Sequence, residues 1–205
     1  IIYNYSIIPE LKKKYFNFRK IFFGPKYLFI KRSKKKIFER KNKKILIFFG
    51  GSDIKNYTPK VVKKLNYLKV SNQINIILGP GNSKKKFNYM VRKFKNKNIK
   101  ISYFVKDIEK EISKNDIIIT SAGYTMYKSM LNYKICLIIP TSPHEEKISN
   151  HVSKLGLGLV VNKNLNNFNQ QIYKILYNIK LINNLISKLK KHFTKNLSKT
   201  FLKSI

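Results

Sequence analysis

From Lys44 onward, short runs of branched apolar residues alternate with longer stretches of helical periodicity. The apolar runs Ile45–Phe49, Ile74–Leu78, Ile99–Phe104, Asp116–Thr120, Ile135–Ile139 and Leu159–Val161 predict strands. Between and after them, Pro59–Val70, Lys84–Lys95, Ile108–Lys114, Thr125–Leu131, Glu145–Leu155 and Leu165–Tyr177 predict helices. The strands lack the apolar/polar alternation of a half-solvated sheet, so both faces must be covered: an α/β chain with a parallel sheet and helices on both sides. Upstream, Ile1–Ile8 reads as a short strand and Pro9–Arg40 as a basic, aromatic-rich connector. From Leu181 on, the apolar positions Leu181, Ile182, Leu185, Ile186 and Leu189 predict one or two amphipathic helices. Packing back on the protein is the preferred reading of that tail, ahead of a basic helix on an anionic membrane.

Parallel sheets of this kind bind ligands beyond the carboxyl ends of their strands. Those ends carry Gly50–Asp53, Gly79–Ser83, Val105–Asp107, Ser121–Tyr124 and Thr141–Glu146. The first is the most informative, since the strand in ILIFFGGSD (Ile45–Asp53) ends in two glycines, a serine and an aspartate. Thr58 reads as the N-cap of the next helix and Pro59 as its first residue. Bare glycine backbone beside a helix N-terminus suits a diphosphate. Many α/β proteins use Gly-Gly only to turn the chain, so the case for a ligand depends on the residues further along the chain.

Composition adds less than its extremes promise. With 44 Lys and Arg against nine Asp and Glu, the net charge is +35 over 205 residues. Alanine occurs once (Ala122), tryptophan never and arginine four times, while Lys, Asn, Ile, Phe and Tyr abound. These are residues of A/T-rich codons, and codon drift accounts for much of the lysine, though not for the scarcity of acids. Such charge attracts nucleotide diphosphates, anionic lipid and, nonspecifically, nucleic acid. With no Cys/His finger spacing and no aromatic RNA-binding motif, a specific nucleic-acid partner is not expected. The one cysteine, Cys136, lies in an apolar run and reads as core in a reducing, cytoplasmic protein. No apolar run approaches the roughly 18 residues of a membrane span. The start at Ile1, in sequence that already looks mid-domain, leads us to expect an N-terminally incomplete protein.

GGSD, YFVKDI (Tyr103–Ile108), DIIITSAGYTMYKSMLNYKICLIIP (Asp116–Pro140) and HEEKISNHVSKLGLGLVV (His144–Val161) succeed one another in an order that resembles a known family. It is the C-terminal, nucleotide-binding half of GT-B glycosyltransferases of the family 28 type, which include the lipid II-forming N-acetylglucosaminyl transferase. FFGPKYLFIKR (Phe22–Arg32) is similar to the pseudaminic-acid pathway UDP-sugar hydrolase and its spore-coat-polysaccharide relatives, which share the fold and use water as acceptor. The resemblance spans roughly Phe22–Val161 and implies a Rossmann-like domain over residues 44–178. Residues 1–43 would be the end of a largely missing N-terminal domain with its connector, and residues 179–205 a helical tail.

The resemblance also implies roles. Gly50, Gly51 and Ser52 would face the diphosphate, joined there by Ser121, Ala122, Gly123 and Thr125. Phe104 and Val105 would bracket the uracil, and His144, Glu145 and Asn150 would face the sugar. For Val105 a plain buried strand end is an equal reading, and for His144 a solvent-exposed loop histidine is preferred to direct chemistry. No cofactor or metal is implied. One position departs from the family: where a carboxylate holds the ribose hydroxyls, this chain has Lys128, which cannot accept a hydrogen bond. Lys128 is therefore expected to weaken UDP binding, and Lys128→Glu to strengthen it. In the family the N-terminal domain supplies a glycine-rich loop and, in the hydrolase, a catalytic histidine. Residues before Ile45 hold neither, so the chain is expected to bind rather than catalyse, with the catalytic residues unassigned. The leading expectation is the UDP-sugar-binding half of a surface-glycan enzyme, a hydrolase of the pseudaminic-acid type, with peripheral contact to anionic membrane as an option. The alternatives are a family 28-type glycosyltransferase, a non-catalytic relative and a polyanion-binding protein.

Overall fold

The computed structural model describes residues 2–4, 7, 21–23, 43–94 and 97–193. Two strands, β1 (Ile2–Asn4) and β2 (Ile21–Phe23), pair in parallel near the N-terminus. The stretch read as connector therefore contains a strand, and the rest of FFGPKYLFIKR beyond Phe23 lies outside the described residues.

The main sheet has six strands: β3 (Ile45–Ile47), β4 (Ile74–Leu78), β5 (Ile99–Tyr103), β6 (Ile117–Thr120), β7 (Ile135–Ile138) and β8 (Leu159–Val160). Their spatial order is β5-β4-β3-β6-β7-β8 and every pairing is parallel. Counted from β3 this is 3-2-1-4-5-6, the doubly wound order of a Rossmann-like fold. The chain reverses its direction of travel between β3 and β6, which opens a crevice at their carboxyl ends.

Among the described residues seven helices accompany the strands: α1 (Tyr57–Tyr67), α2 (Lys84–Lys93), α3 (Ile108–Lys114), α4 (Tyr124–Leu131), α5 (Pro143–Leu155), α6 (Phe168–Tyr177) and α7 (Ile179–Phe193). Because side chains alternate across a strand, Ile45, Ile47, Ile117, Ile119, Ile135 and Leu137 enter one core, with Val61 and Leu65 of α1, Met90 of α2 and Phe168 and Ile172 of α6. Leu46, Ile118, Cys136 and Ile138 enter the other, with Ile112 of α3, Met126 and Met130 of α4 and Val152 of α5. Helix α7 joins both, through Ile182, Leu185 and Ile186 on one side and Leu189 and Phe193 on the other. Cys136 is fully buried, and burial pushes its thiol pKa up. No helix among the described residues is long and apolar enough to cross a membrane.

Four helix starts differ from the sequence expectation: α4 begins one residue early at Tyr124 and α5 two residues early at Pro143, while α1 and α6 differ for reasons visible in their side chains. Helix α1 begins at Tyr57, and Thr58 does not cap it; the Asp53 carboxylate takes the N–H groups of Tyr57 (2.8 Å) and Thr58 (3.0 Å). Helix α6 begins at Phe168, three residues later than its apolar pattern starts. An asparagine turn holds the preceding chain: Asn167 Oδ1 accepts from Asn162 N, Asn162 Oδ1 accepts from Asn166 N, and Leu165 is left-handed at φ 59°. Short amide side chains competing for backbone groups delay the helix.

Candidate functional site

Strands β3 and β6 run in register, Ile47 beside Ile119, so the turns at their carboxyl ends emerge side by side. After β3, Gly50 adopts φ 79°, which only glycine takes without strain. A Cβ at Gly50 or Gly51 would meet nothing within 4 Å, so the space above this turn is open. Beneath it the chain is tightly held. A Cβ on Gly79, at the end of β4, would lie 2.4 Å from the carbonyl oxygens of both Gly50 and Gly51. Gly81 N and Asn82 Nδ2 both donate to the Gly51 carbonyl, at 2.8 and 3.2 Å. Lys86 on α2 donates to Asp53 Oδ2 (3.1 Å) and Asn82 Oδ1 (2.8 Å), which ties α2 to the same turn. Ser52 stands exposed at its tip.

The two helix N-termini beside the crevice are not equivalent. That of α1 is already neutralised by buried Asp53, so the β3–α1 turn offers glycine backbone alone. That of α4 has Gly123 as N-cap and no side-chain cap, leaving its first N–H groups without an acceptor from the cap residue. Around it Ser121 and Thr125 are half-buried and Ala122 is buried. Of the two helix dipoles at the crevice, only that of α4 thus faces it without a capping side chain. The physical reason is the aspartate of GGSD, which acts as a cap.

At the edge strand β5, Phe104 is left-handed (φ 52°), donates its N–H to Leu78 O and exposes 51% of its surface. Val105 is half-buried against the core on the α3–α4 side of the sheet. Three strand spacings, roughly 14 Å, separate β5 from β6, and α3 leads the chain back from Phe104 and Val105 towards α4.

Lys128 does not project as an open cation. It is buried on α4, its Nζ makes a short ion pair with Glu109 Oε1 on α3, and it lies 4.4 Å from the centre of the Tyr124 ring.

On α5, Ser142 caps the helix through Glu145 N, and Glu145 Oε2 reaches past the cap to accept from Thr141 N and Oγ1 at 2.7 and 2.8 Å. The other oxygen of Glu145 lies 3.6 Å from where a Gly123 Cβ would stand, so this carboxylate borders the α4 terminus. His144 is exposed at the same end of α5. Asn150 is exposed too, but six residues along, roughly 9 Å of helical rise from His144.

Sequence reasoning put Gly79–Ser83 at the binding edge but gave Gly79 and Asn82 no role of their own, and it missed Lys86 and Glu109. The GPGN run at Gly79–Asn82 flags a turn, but its packing under Gly50 and Gly51 is a tertiary contact with no local mark.

The chain is 34% identical over 176 residues to an uncharacterized protein of Methanocaldococcus jannaschii, a match covering 76% of this chain and 35% of that protein. The chain thus spans about a third of its curated relative. Among solved structures, the glycosyltransferase SnogD of Streptomyces nogalater superposes with a TM-score of 0.58 at 14% identity, over 80% of this chain and 43% of that one. MurG of Acinetobacter baumannii gives 0.59 at 18%, over 80% and 49%. The glycosyltransferase VinC, solved in complex with dTDP, gives 0.58 at 12%, over 79% and 40%. At these identities the likeness speaks for the fold alone. Residues 45–201 match the glycosyltransferase family 28 C-terminal domain, and the chain belongs to that family.

Proposed function

We propose that this chain is the nucleotide-sugar-binding half of a GT-B enzyme of surface-glycan biosynthesis, with a UDP-sugar as substrate. The observation that carries the reading is the pairing, at the β3/β6 crevice, of a glycine turn with open space above it and an uncapped helix N-terminus. Gly50, Gly51 and Ser52 from one side and Ser121, Ala122, Gly123 and Thr125 from the other would hold the diphosphate through backbone N–H groups and hydroxyls. Exposed Phe104, with Val105, would bracket the base. His144, Glu145 and Asn150 would face the sugar, although the Glu145 carboxylate bordering α4 opposes an anion there and belongs on the sugar side of the phosphates. When the sugar–phosphate bond breaks, negative charge grows on the leaving UDP, and the α4 terminus would stabilise it.

FFGPKYLFIKR supports water as the acceptor, hence a hydrolase of the pseudaminic-acid pathway type. Family membership supports the second reading, transfer to a glycan or lipid hydroxyl. Either activity would belong to a longer protein, in keeping with relatives of which this chain spans less than half. The net charge of +35 supports peripheral contact with an anionic membrane.

Calorimetric titration of UDP, dTDP and ADP at constant salt tests the nucleotide assignment, with Gly51→Ala as the probe of the turn. The added methyl meets no protein atom within 4 Å, so folding should be kept while the ligand is pushed off the backbone. The expected result is tighter binding of UDP than of ADP, and about tenfold weaker UDP binding by Gly51→Ala, the equivalent of one lost charge-assisted hydrogen bond. Equal affinity for all three nucleotides, collapsing between low and moderate salt, would instead mark polyanion binding by charge alone.

A further inference from the structure

A nucleoside diphosphate lying across this sheet edge places its ribose between the base and the phosphates. In protein terms, that is between Phe104–Val105 and the α4 terminus. The connecting piece is α3, which starts just after Val105 and packs beside α4. Its second residue, Glu109, is the partner of Lys128. The family's ribose-binding position has therefore lost its carboxylate, while a carboxylate from the neighbouring helix has arrived against the lysine that replaced it.

The details of that pair decide what it can do. The Lys128 side chain is only 10% exposed, and its charge is engaged by Glu109 Oε1 and by the face of Tyr124. It is not positioned to reach outward as a phosphate ligand. The Glu109 side chain is 34% exposed, and only its Oε1 has a hydrogen-bond partner among the described residues. A carboxylate fixed through one oxygen and open at the other is a preset acceptor. A ribose diol needs an acceptor, which lysine cannot be. The pairing itself is not informative, since cations outnumber acids almost fivefold in this chain. The orientation is, because it fixes Glu109 through Oε1 and leaves Oε2 with no hydrogen-bond partner among the described residues.

We infer that Glu109 supplies the ribose-hydroxyl acceptor that Lys128 displaced, with Lys128 acting as the residue that positions it. This rests on the nucleotide reading above. It also revises the expectation for Lys128→Glu: that substitution alone would set two carboxylates against each other and weaken UDP binding rather than strengthen it.

The test compares UDP with 2′-deoxy-UDP, titrated at fixed salt into the full chain, Glu109→Gln and the charge-swapped double variant Glu109→Lys/Lys128→Glu. Glutamine keeps a neutral acceptor for Lys128, so the helix pair should stay intact, as circular dichroism and thermal melts would verify. The parent should prefer UDP about tenfold, the equivalent of one charge-assisted hydrogen bond. Glu109→Gln should reduce that preference to below about threefold, and the double variant should restore it. A preference unchanged in Glu109→Gln would overturn the inference and leave the nucleotide site standing. Failure of the parent to bind either nucleotide would overturn both.

Discussion

Replacing Asp53 should cost more stability than any other single change in the β3–α1 turn, and the structure says how much. The Asp53 carboxylate is buried and accepts three hydrogen bonds: Tyr57 N at 2.8 Å, Thr58 N at 3.0 Å and Lys86 Nζ at 3.1 Å. Loss of a helix cap costs about 0.5–2 kcal/mol. The upper end applies, because Tyr57 and Thr58 are themselves buried and water cannot easily replace the acceptor. Lys86 keeps Asn82 Oδ1 at 2.8 Å, so its loss adds no more than about 1 kcal/mol. Asp53 also sits at φ 44°, where alanine costs about 1 kcal/mol more than aspartate. Asp53→Ala should therefore lose about 3–4 kcal/mol, Asp53→Gly about 1 kcal/mol less because glycine tolerates the backbone, and Asp53→Asn about 1–2 kcal/mol because one acceptor remains. In urea, at a slope of about 2 kcal/mol per M, the alanine variant should unfold about 1.5–2 M earlier than the parent. A midpoint within about 0.3 M of the parent, or equal losses for alanine and asparagine, would refute the assignment of Asp53 as the cap.

Gly79→Ala should destabilise by about 1–3 kcal/mol, since its methyl would meet the Gly50 and Gly51 carbonyls at 2.4 Å and these are backbone atoms that cannot swing aside; thermal melts should separate it clearly from Gly51→Ala. Tyr57 is buried and its hydroxyl donates to Lys163 O at 3.1 Å, and burial, then the nearby Glu146, Asp53 and Glu145 carboxylates, raise its pKa. Its contribution to stability is full below the unfolded value of about 10 and is lost as pH rises through the higher folded value. Denaturation midpoints measured from pH 8 to 11 should fall less steeply for Tyr57→Phe than for the parent.

The sheet was legible because the central strands are short runs rich in Ile and Leu, bounded by turn residues and separated by stretches of helical period. That the candidate turns would meet was legible for a topological reason: once the strands are parallel, their carboxyl ends share one edge. What could not be read was which side chains hold that edge together. Thr58 looks like a cap by type and spacing, yet Asp53, further back and left-handed, wins because it reaches two N–H groups at once. Leu165 fits the apolar period of α6 but is held outside the helix by Asn162 and Asn167. Gly79, Lys86 and Glu109 act on partners far away in sequence, and only the packed structure brings them there.

The few acids that remain also have a physical account. Seven of the nine acids lie among the described residues. Four of them accept from backbone N–H groups: Asp53 from Tyr57 and Thr58, Asp107 from Lys110, Asp116 from Lys44 and Glu145 from Thr141. Lysine has no acceptor, so drift towards lysine at those positions would leave helix ends and strand entries unsatisfied. Two others, Glu111 with Lys114 and Glu146 with Lys163, form exposed ion pairs that add little. Glu109 belongs to neither group: it takes no backbone N–H among the described residues, and its partner Lys128 is buried. Folding gives it two roles, facing the helix dipole in the first turn of α3 and pairing the buried charge of Lys128, and both are met through one end of the side chain, which leaves its second oxygen for the ligand hydroxyl proposed above.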